Sequence, residues 1–377
     1  MRNTALRVIG IVLLMMQLPG PLAHAEDGIS KDTILIGRTA GITGPAAVRA
    51  KPFTETIQAY FDSVNEAGGV NGRMLKLTNL DDANDPKRAA DNVRKLASVD
   101  KVFSLIAASG TPPTAAVLPL LTEYQIPMLG TATGADSLRK PNKYMFHVKA
   151  SFGDELMKIA EHIKAIGITR VAVVSNDDGT GREGSQLAAA ALQSQGIAPL
   201  VLISFKSGEA KEAVAKLASA NAQALVLVSV SGPGAEFFRE FVKLPVRPQA
   251  FTWSVMVVEA IYKEVGEKAY GLVLSQTVPS PADRTLNLVR DYHELRKQAK
   301  LEDGGYSGLE AYIGARVLVE GLKRAGKLPT RAGLIAALES MRNFDLGGDM
   351  VGFTATDHVG RRFVELTIVG RDGRFLR

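Results

Sequence analysis

Short runs of aliphatic and β-branched residues alternate with stretches of helical period along most of the chain. Strands are predicted at 33–39, 74–80, 102–108, 126–130, 170–174, 200–205, 224–230 and 271–275, where such runs are bounded by turn residues. Between the first two, Ile57, Tyr60, Phe61 and Val64 recur at i, i+3, i+4 and i+7, which gives a helix over 52–65 one apolar face. Helices are also predicted over 86–98 and 112–124. Each opens on a pair, Asp85-Pro86 or Thr111-Pro112, with a capping residue followed by proline at the first helical position. Repeated strand-helix-strand units of this kind give parallel sheets with helices on both faces. A run of about 325 residues exceeds what one core usually supports, so two α/β lobes are expected. The proline-containing polar stretches at 140–153 and 277–281 break the periodicity and read as crossovers between lobes. Helical stretches at 284–300 and 308–325 then return to the first lobe.

The first 25 residues carry a different pattern. Arg2 and Arg7 precede or open an apolar stretch from Val8 to Met16, followed by Pro19, Gly20 and Pro21 and then Ala23-His24-Ala25. That is the order of a secretory leader, and its apolar run is too short to span a bilayer. Cleavage after Ala25 would leave 377 − 25 = 352 residues and lower the formal charge from +6 to +4 by removing two arginines. No cysteine stands at the cleavage point, so a periplasmic protein is expected and not a lipoprotein.

The sequence contains no cysteine anywhere, which excludes disulfide scaffolds, Cys-ligated zinc, iron–sulfur clusters and Cys nucleophiles. With 46% hydrophobic and 22% charged residues the chain is not of disordered composition. It has no cluster of five basic residues, so nucleic acid is not an expected partner. Gly179-Thr-Gly-Arg-Glu-Gly184 spells G-x-G-x-x-G after a strand, but Ser175 to Asp178 intervene and no acid follows before Glu209. A dinucleotide site needs its first glycine in the turn and an acid further on, so the segment reads as a loop opening a helix. Asp81-Asp-Ala-Asn-Asp85 fails calcium-loop spacing and reads as a strand end plus a helix cap. The histidines never fall at i, i+3 or i+4, no nucleophile elbow occurs, and no cofactor or metal is expected. Ser109-Gly110-Thr111 and Thr131-Ala132-Thr133-Gly134 each stand just past a predicted parallel strand. Hydroxyls and free amides there suit an anion, since the carboxyl ends of parallel strands are where α/β sheets bind ligands.

Several segments together resemble a known family. ILIGRTAGITGP (Ile34 to Pro45), Ala67 to Gly72, Leu80 to Pro86, Ser109 to Pro113, Thr133 to Arg139, Val148 to Phe152 and Gly181 to Gly184 are similar, in order, to type I periplasmic binding proteins. The group is the leucine/isoleucine/valine-binding one that serves ABC importers, and the resemblance runs from about residue 29 to the C-terminus. It implies two doubly wound parallel-sheet lobes joined by a three-strand hinge, with a short C-terminal return to the second lobe. Lobe 1 would comprise 26–150 with 277–361, and lobe 2 would comprise 151–276 with 362–377.

The resemblance also implies a site. The ligand carboxylate would be held by Ser109, Gly110 and Thr111 and by Thr131, Ala132 and Thr133. Arg49 stands where an aromatic residue often covers the ligand, Thr180 stands before the second-lobe glycine, and Ser231 and Trp253 complete the cage. Amino-acid binders place an acid near the last of these, where this chain has Val255, with Asp154 or Glu155 as replacements. A buried ammonium without a carboxylate is costly, and Arg49 facing the cleft would favour a second acidic group on the ligand through a bidentate contact. The implied function is capture of a small amino acid or related carboxylate by lobe closure and delivery to ABC permease subunits in the inner membrane. The chain would act as a monomer without cofactor. A sensing subunit presenting its closed form to a receptor, or an enzyme on the same scaffold, are the alternatives.

Overall fold

The computed structural model describes residues 26–376, so the expected leader lies outside the described residues. The first sheet comprises β1 (Thr33–Ala40), β2 (Met74–Asp81), β3 (Ser104–Ile106), β4 (Met128–Leu129) and β5 (Met145–Phe146), all parallel, in the order β2-β1-β3-β4-β5. The second comprises β6 (Val171–Asn176), β7 (Val201–Phe205), β8 (Ala224–Val228), β9 (Gln249–Thr252) and β10 (Val273–Gln276). A small pair, β11 (Phe344–Asp345) and β12 (Met350–Val351), stands apart. The chain then adds β13 (Glu365–Val369) and β14 (Phe375–Leu376) to the second sheet, giving the order β14-β13-β10-β9-β8-β6-β7. Both late strands pair antiparallel, so this sheet is mixed at its edge and not wholly parallel as expected.

The strand order reverses at β1 in one sheet and at β6 in the other. Right-handed crossovers then put α1 (Ala47–Glu66) on one face of the first sheet, and α2 (Pro86–Ser98) and α3 (Thr111–Glu123) on the other. Two separate cores follow from this. Phe53, Ile57 and Phe61 of α1 pack with residues of α9 (Asn287–Gln298), α10 (Gly305–Arg324) and α11 (Arg331–Glu339), while Val93, Leu96, Val117 and Leu121 of α2 and α3 pack beneath the opposite face. The second sheet carries α4 (Phe152–Ala165) against α5 (Gly179–Ser194), and α6 (Ala210–Ser219), α7 (Ser231–Phe241) and α8 (Val258–Val265) in succession. Its apolar residues form one further core.

Three segments pass between the sheets, at 147–151, 277–286 and 352–364. The buried Arg361 of the third ties them together. It donates to Val148 O and Thr277 O of the other two, 3.1 Å each, and pairs with Asp349.

Several elements differ from the pattern reading. Helix α1 begins at Ala47 and contains Pro52, five residues before the predicted start. Strands β3 and β4 are shorter than the apolar runs that announce them, and each ends where a residue of positive φ turns the chain, Ala107 at 51° and Gly130 at 65°. Strand β5 falls inside a stretch read as a crossover. Two residues cannot display a period of two, and β9 has no β-branched run to betray it.

Candidate functional site

The reversal at β1 leaves a crevice at the carboxyl ends of β1 and β3, where open α/β sheets take ligands. Gly110 occupies the cap position of α3 at φ 81°, and a Cβ there would lie 2.2 Å from Asn84 Oδ1. Glycine is therefore required by both conformation and contact. Since Gly110 takes the cap, Thr111 is the first helical residue and not the cap expected from Thr111-Pro112. Its hydroxyl is free to meet the Thr133 hydroxyl at 2.8 Å. Thr133 Oγ1 also accepts from Ala135 N, and Ser109 Oγ accepts from Gly41 N at 3.1 Å. Pro112 and Pro113 have no N–H, so Thr111 carries the amide donor of the first three helical positions.

The acidic cluster builds the neighbouring wall. Asp81 accepts from Ile42 N, Thr43 N, Ala83 N and the Thr43 hydroxyl, which holds its carboxyl down to about 2, the hydroxyl contributing most. Asp82 accepts from Thr39 Oγ1 and Asn84 N, and burial pushes it up. Asp85 caps α2 through Arg88 N at 2.7 Å. All three carboxylates are engaged as strand end and cap, and they deliver Asn84 to the crevice.

The second lobe closes the other side. Asp178 caps α5 by accepting from Gly181 N at 2.7 Å and from Asn176 Nδ2 at 2.5 Å. A Cβ on Gly181 would sit 1.9 Å from Asn176 O, and one on Gly184 would sit 2.4 Å from Val228 and 2.6 Å from Trp253. The G-x-G-x-x-G spelling thus records close packing of a helix on its own sheet. Ser231 opens α7 and accepts from Val257 N at 3.1 Å. The lobes also meet directly where Ser137 donates through N and Oγ to Glu183, at 2.8 and 2.9 Å.

Between them lies a cavity of about 140 Å³. Of the sequence-predicted residues, Arg49, Ser109, Gly110, Thr111, Ala132, Thr133, Thr180 and Ser231 line it. Thr131 and Trp253 do not. The Thr131 hydroxyl donates to Thr133 O within its own loop. Trp253 is fully buried, its Nε1 donating to Ser229 O at 2.7 Å and its ring 4.3 Å from that of Phe152. It supports the wall from behind while Phe152 faces the space. The volume is close to that of an engineered cavity that holds benzene, so the guest is a small molecule.

Arg49 lines the cavity, but the bidentate contact expected of it is already taken. Its Nη2 donates to Glu310 Oε2 at 2.6 Å, and its Nη1 donates to Ser254 O at 3.2 Å. Glu310 also accepts from the buried Lys149 at 3.2 Å. Burial pushes Glu310 up, yet Arg49 and then Lys149 outweigh it and leave the carboxyl below its usual range. Val255 lines the cavity as expected, and neither replacement acid does. Asp154 forms a capping box with Ser151, and the buried Glu155 accepts from Ser254 N, Ser254 Oγ and Ser275 Oγ. The carboxylate that lines it is Asp178.

Sequence reasoning missed Asp178, Asn84, Phe53, Phe152 and Arg38, all of which line the cavity. For Arg38 a signal existed, an arginine within the apolar strand Ile34-Leu-Ile-Gly-Arg38, where a charged side chain needs a reason. It is 1% exposed. Its three hydrogen bonds go to neutral oxygens, Ala107 O at 3.1 Å, Thr54 Oγ1 at 2.6 Å and Asn79 Oδ1 at 3.4 Å. Asn79 is its register partner on β2. Burial lowers Arg38 to about 10, with the field of Asp82 opposing, so it remains charged at neutral pH.

A family model described as periplasmic binding protein matches residues 33–374. The chain is 35% identical to Leu/Ile/Val-binding protein homolog 1 of Brucella abortus over 65 residues, 17% of this chain and only 18% of that protein's length. Against Leu/Ile/Val-binding protein homolog 6 of the same organism the identity is 21% over 329 residues, covering 82% and 81%. The structure of a substrate-binding periplasmic protein from Ralstonia solanacearum superposes with a TM-score of 0.85 at 28% identity, covering 91% of this chain and 99% of that one. The two-sheet architecture, the cleft at the switch points and these similarities agree: the chain belongs to the type I periplasmic binding proteins, in the leucine/isoleucine/valine-binding family.

Proposed function

We propose that this protein is the solute-binding subunit of an ABC importer of the branched-chain amino acid type. It captures a small amino acid or related carboxylate in the cleft and passes it to permease subunits in the inner membrane. The observation that carries this reading is a single small cavity walled by Ser109, Thr111 and Thr133 from one lobe and by Thr180 and Ser231 from the other. A ligand touching both walls gains contacts that the open form lacks, so it shifts the population toward closure. Residues 26–150 with 277–361 and 151–276 with 362–377 would move as the two bodies, hinged at the segments gathered by Arg361.

Release of the ligand chemically unaltered fits the lining. The Thr111 and Thr133 hydroxyls bond each other, Ser109 accepts from a backbone amide, and Asp178 is occupied as a helix cap. Among the described residues, no lining hydroxyl is hydrogen-bonded to a base that would make it a nucleophile. The reading places the mature protein in the periplasm, as a monomer without cofactor.

A thermal-shift screen of amino acids and carboxylates tests it. A ligand at 100 times its Kd stabilises the folded state by about 2.7 kcal/mol. The double variant Thr111→Val, Thr133→Val should lose that shift, measured against its own ligand-free melting temperature, which falls because Ala135 N loses its acceptor. Small-angle scattering should show a more compact particle with ligand, and deletion of the gene should abolish uptake of the same solute. Equal shifts in the double variant would remove the hydroxyl rim from the site.

A further inference from the structure

The cavity is lined by two arginines, and Arg38 is the one that makes no ion pair. Arg49 is matched by Glu310, and the Lys149 ammonium beside it lies between that carboxylate and the buried Glu155, which it reaches through the Ser254 hydroxyl. Arg296 is matched by Glu55 and Arg361 by Asp349. The Arg38 guanidinium lines the cavity with all its hydrogen bonds on neutral oxygens, and its Nη2 has no partner among the described residues. The half-buried Arg331, on three backbone carbonyls, also lacks a carboxylate contact, but it does not line this space. The field of the buried Asp82 reaches Arg38, but no hydrogen bond joins the two, so the guanidinium keeps one nitrogen unsatisfied, and a buried charge that is incompletely paired is costly. Arg38 is also tied to the hydroxyl rim, because the carbonyl it bonds, Ala107, lies two residues before Ser109.

We propose that Arg38 is a specificity-determining residue and that the ligand is a net anion: a short carboxylic acid with an apolar body and no ammonium group, its acid function set against both the hydroxyl rim and Arg38. This rests on the solute-binding reading above and narrows its substrate class. The body of the ligand would face Phe53, Phe152, Pro112, Val230 and Val255, which present no acceptor for an ammonium. Asp178 is the one lining carboxylate among the described residues, and its two oxygens already take Gly181 N–H and Asn176 Nδ2. An α-amino acid would need Asp178 in place of Arg38 as its decisive charge, and that is the alternative the experiment separates.

The experiment uses matched pairs that differ only in the ammonium: valine and 3-methylbutanoate, leucine and 4-methylpentanoate, phenylalanine and 3-phenylpropanoate, with succinate added. Affinities are measured by calorimetry on the wild-type chain, Arg38→Gln, Arg38→Lys and Asp178→Asn, since Asn caps a helix about as well as Asp. In the wild-type chain the deaminated member of at least one pair should bind more tightly than its amino acid. Arg38→Gln should weaken it by at least about 30-fold, equivalent to about 2 kcal/mol at 1.4 kcal/mol per decade. Arg38→Lys should recover part of the loss, and Asp178→Asn should leave anion binding intact or improved. Tighter binding of the amino acids, abolished by Asp178→Asn, would overturn the proposal while leaving the solute-binding reading in place. If no member of any pair binds, the proposal falls. The broader reading falls only if a wider small-molecule screen is silent as well. Should Arg38→Gln fail to fold, the wild-type ranking and Asp178→Asn still decide.

Discussion

Glu310→Gln is the most informative single change. Glu310 sits on α10 with its side chain 6% exposed, and one oxygen, Oε2, accepts from Arg49 at 2.6 Å and from Lys149 at 3.2 Å. Lys149 is 1% exposed and belongs to the first crossover between the sheets. It also reaches Ser254 and Thr277, at 2.8 and 3.1 Å, while Arg49 reaches Ser254 O. Glu310 therefore pairs directly with two cations, and the buried Glu155 reaches Lys149 through the Ser254 hydroxyl, so the cluster joins the two lobes and the first crossover. At an effective dielectric constant of about 20, each opposite charge within 4 Å contributes about 4 kcal/mol of attraction, much of it offset by desolvation. Removing Glu310 leaves Arg49 without its ion pair and only Glu155 to oppose the two buried cations, and a loss of about 3–5 kcal/mol is expected. Glutamine keeps the size, so the loss comes from charge. Thermal unfolding of Glu310→Gln, Lys149→Met and the double variant forms the assay. The double variant should be more stable than Glu310→Gln alone, because it removes one orphaned cation. A Glu310→Gln loss below about 1 kcal/mol, or a double variant less stable than both singles, would refute the charge argument. The sign of the pH effect follows from the lowered Glu310: its contribution is complete above the unfolded value of about 4.3 and is lost as pH falls through the folded value.

Three further outcomes are expected. His147 is buried and held down to about 3, chiefly by burial and then by Arg139, so the unfolded chain takes up its proton near pH 6.5 while the folded one does not. Stability should fall as pH drops below about 6.5, by about 2 kcal/mol at pH 5, and His147→Asn should lack that component in acid titrations of the melting temperature. Gly184→Val would drive side-chain atoms into Val228 and Trp253, so a loss of about 1–3 kcal/mol with an altered Trp253 fluorescence spectrum should appear. An unchanged spectrum would remove the close contact. Arg49 lines both the 140 Å³ cavity and a neighbouring one of about 530 Å³, so Arg49→Ala should join them. Longer acids should then bind relative to short ones, and an unchanged length preference in calorimetry would show that Arg49 is no partition.

Much of this was legible before the fold. The alternation of apolar runs and amphipathic helices fixes two α/β lobes, since period and turn residues are local properties written residue by residue. The same holds for Asp85 and Pro86 at the head of α2, and for the hydroxyl loops after β3 and β4, which follow from strand ends alone. What only the tertiary structure decided is which charges meet. Arg49, Lys149, Glu310 and Ser254 are far apart in the chain, and nothing local says that one carboxylate serves two cations. Arg38 passed unremarked inside a strand, and only β2, β3 and α1 closing around it set it beside the cavity with its hydrogen bonds on neutral oxygens. Trp253 looked like a wall and proved to be a support, because Gly184 lets a helix settle directly on its ring. Side-chain period depends on neighbours along the chain, whereas charge balance in a low-dielectric interior depends on neighbours in space.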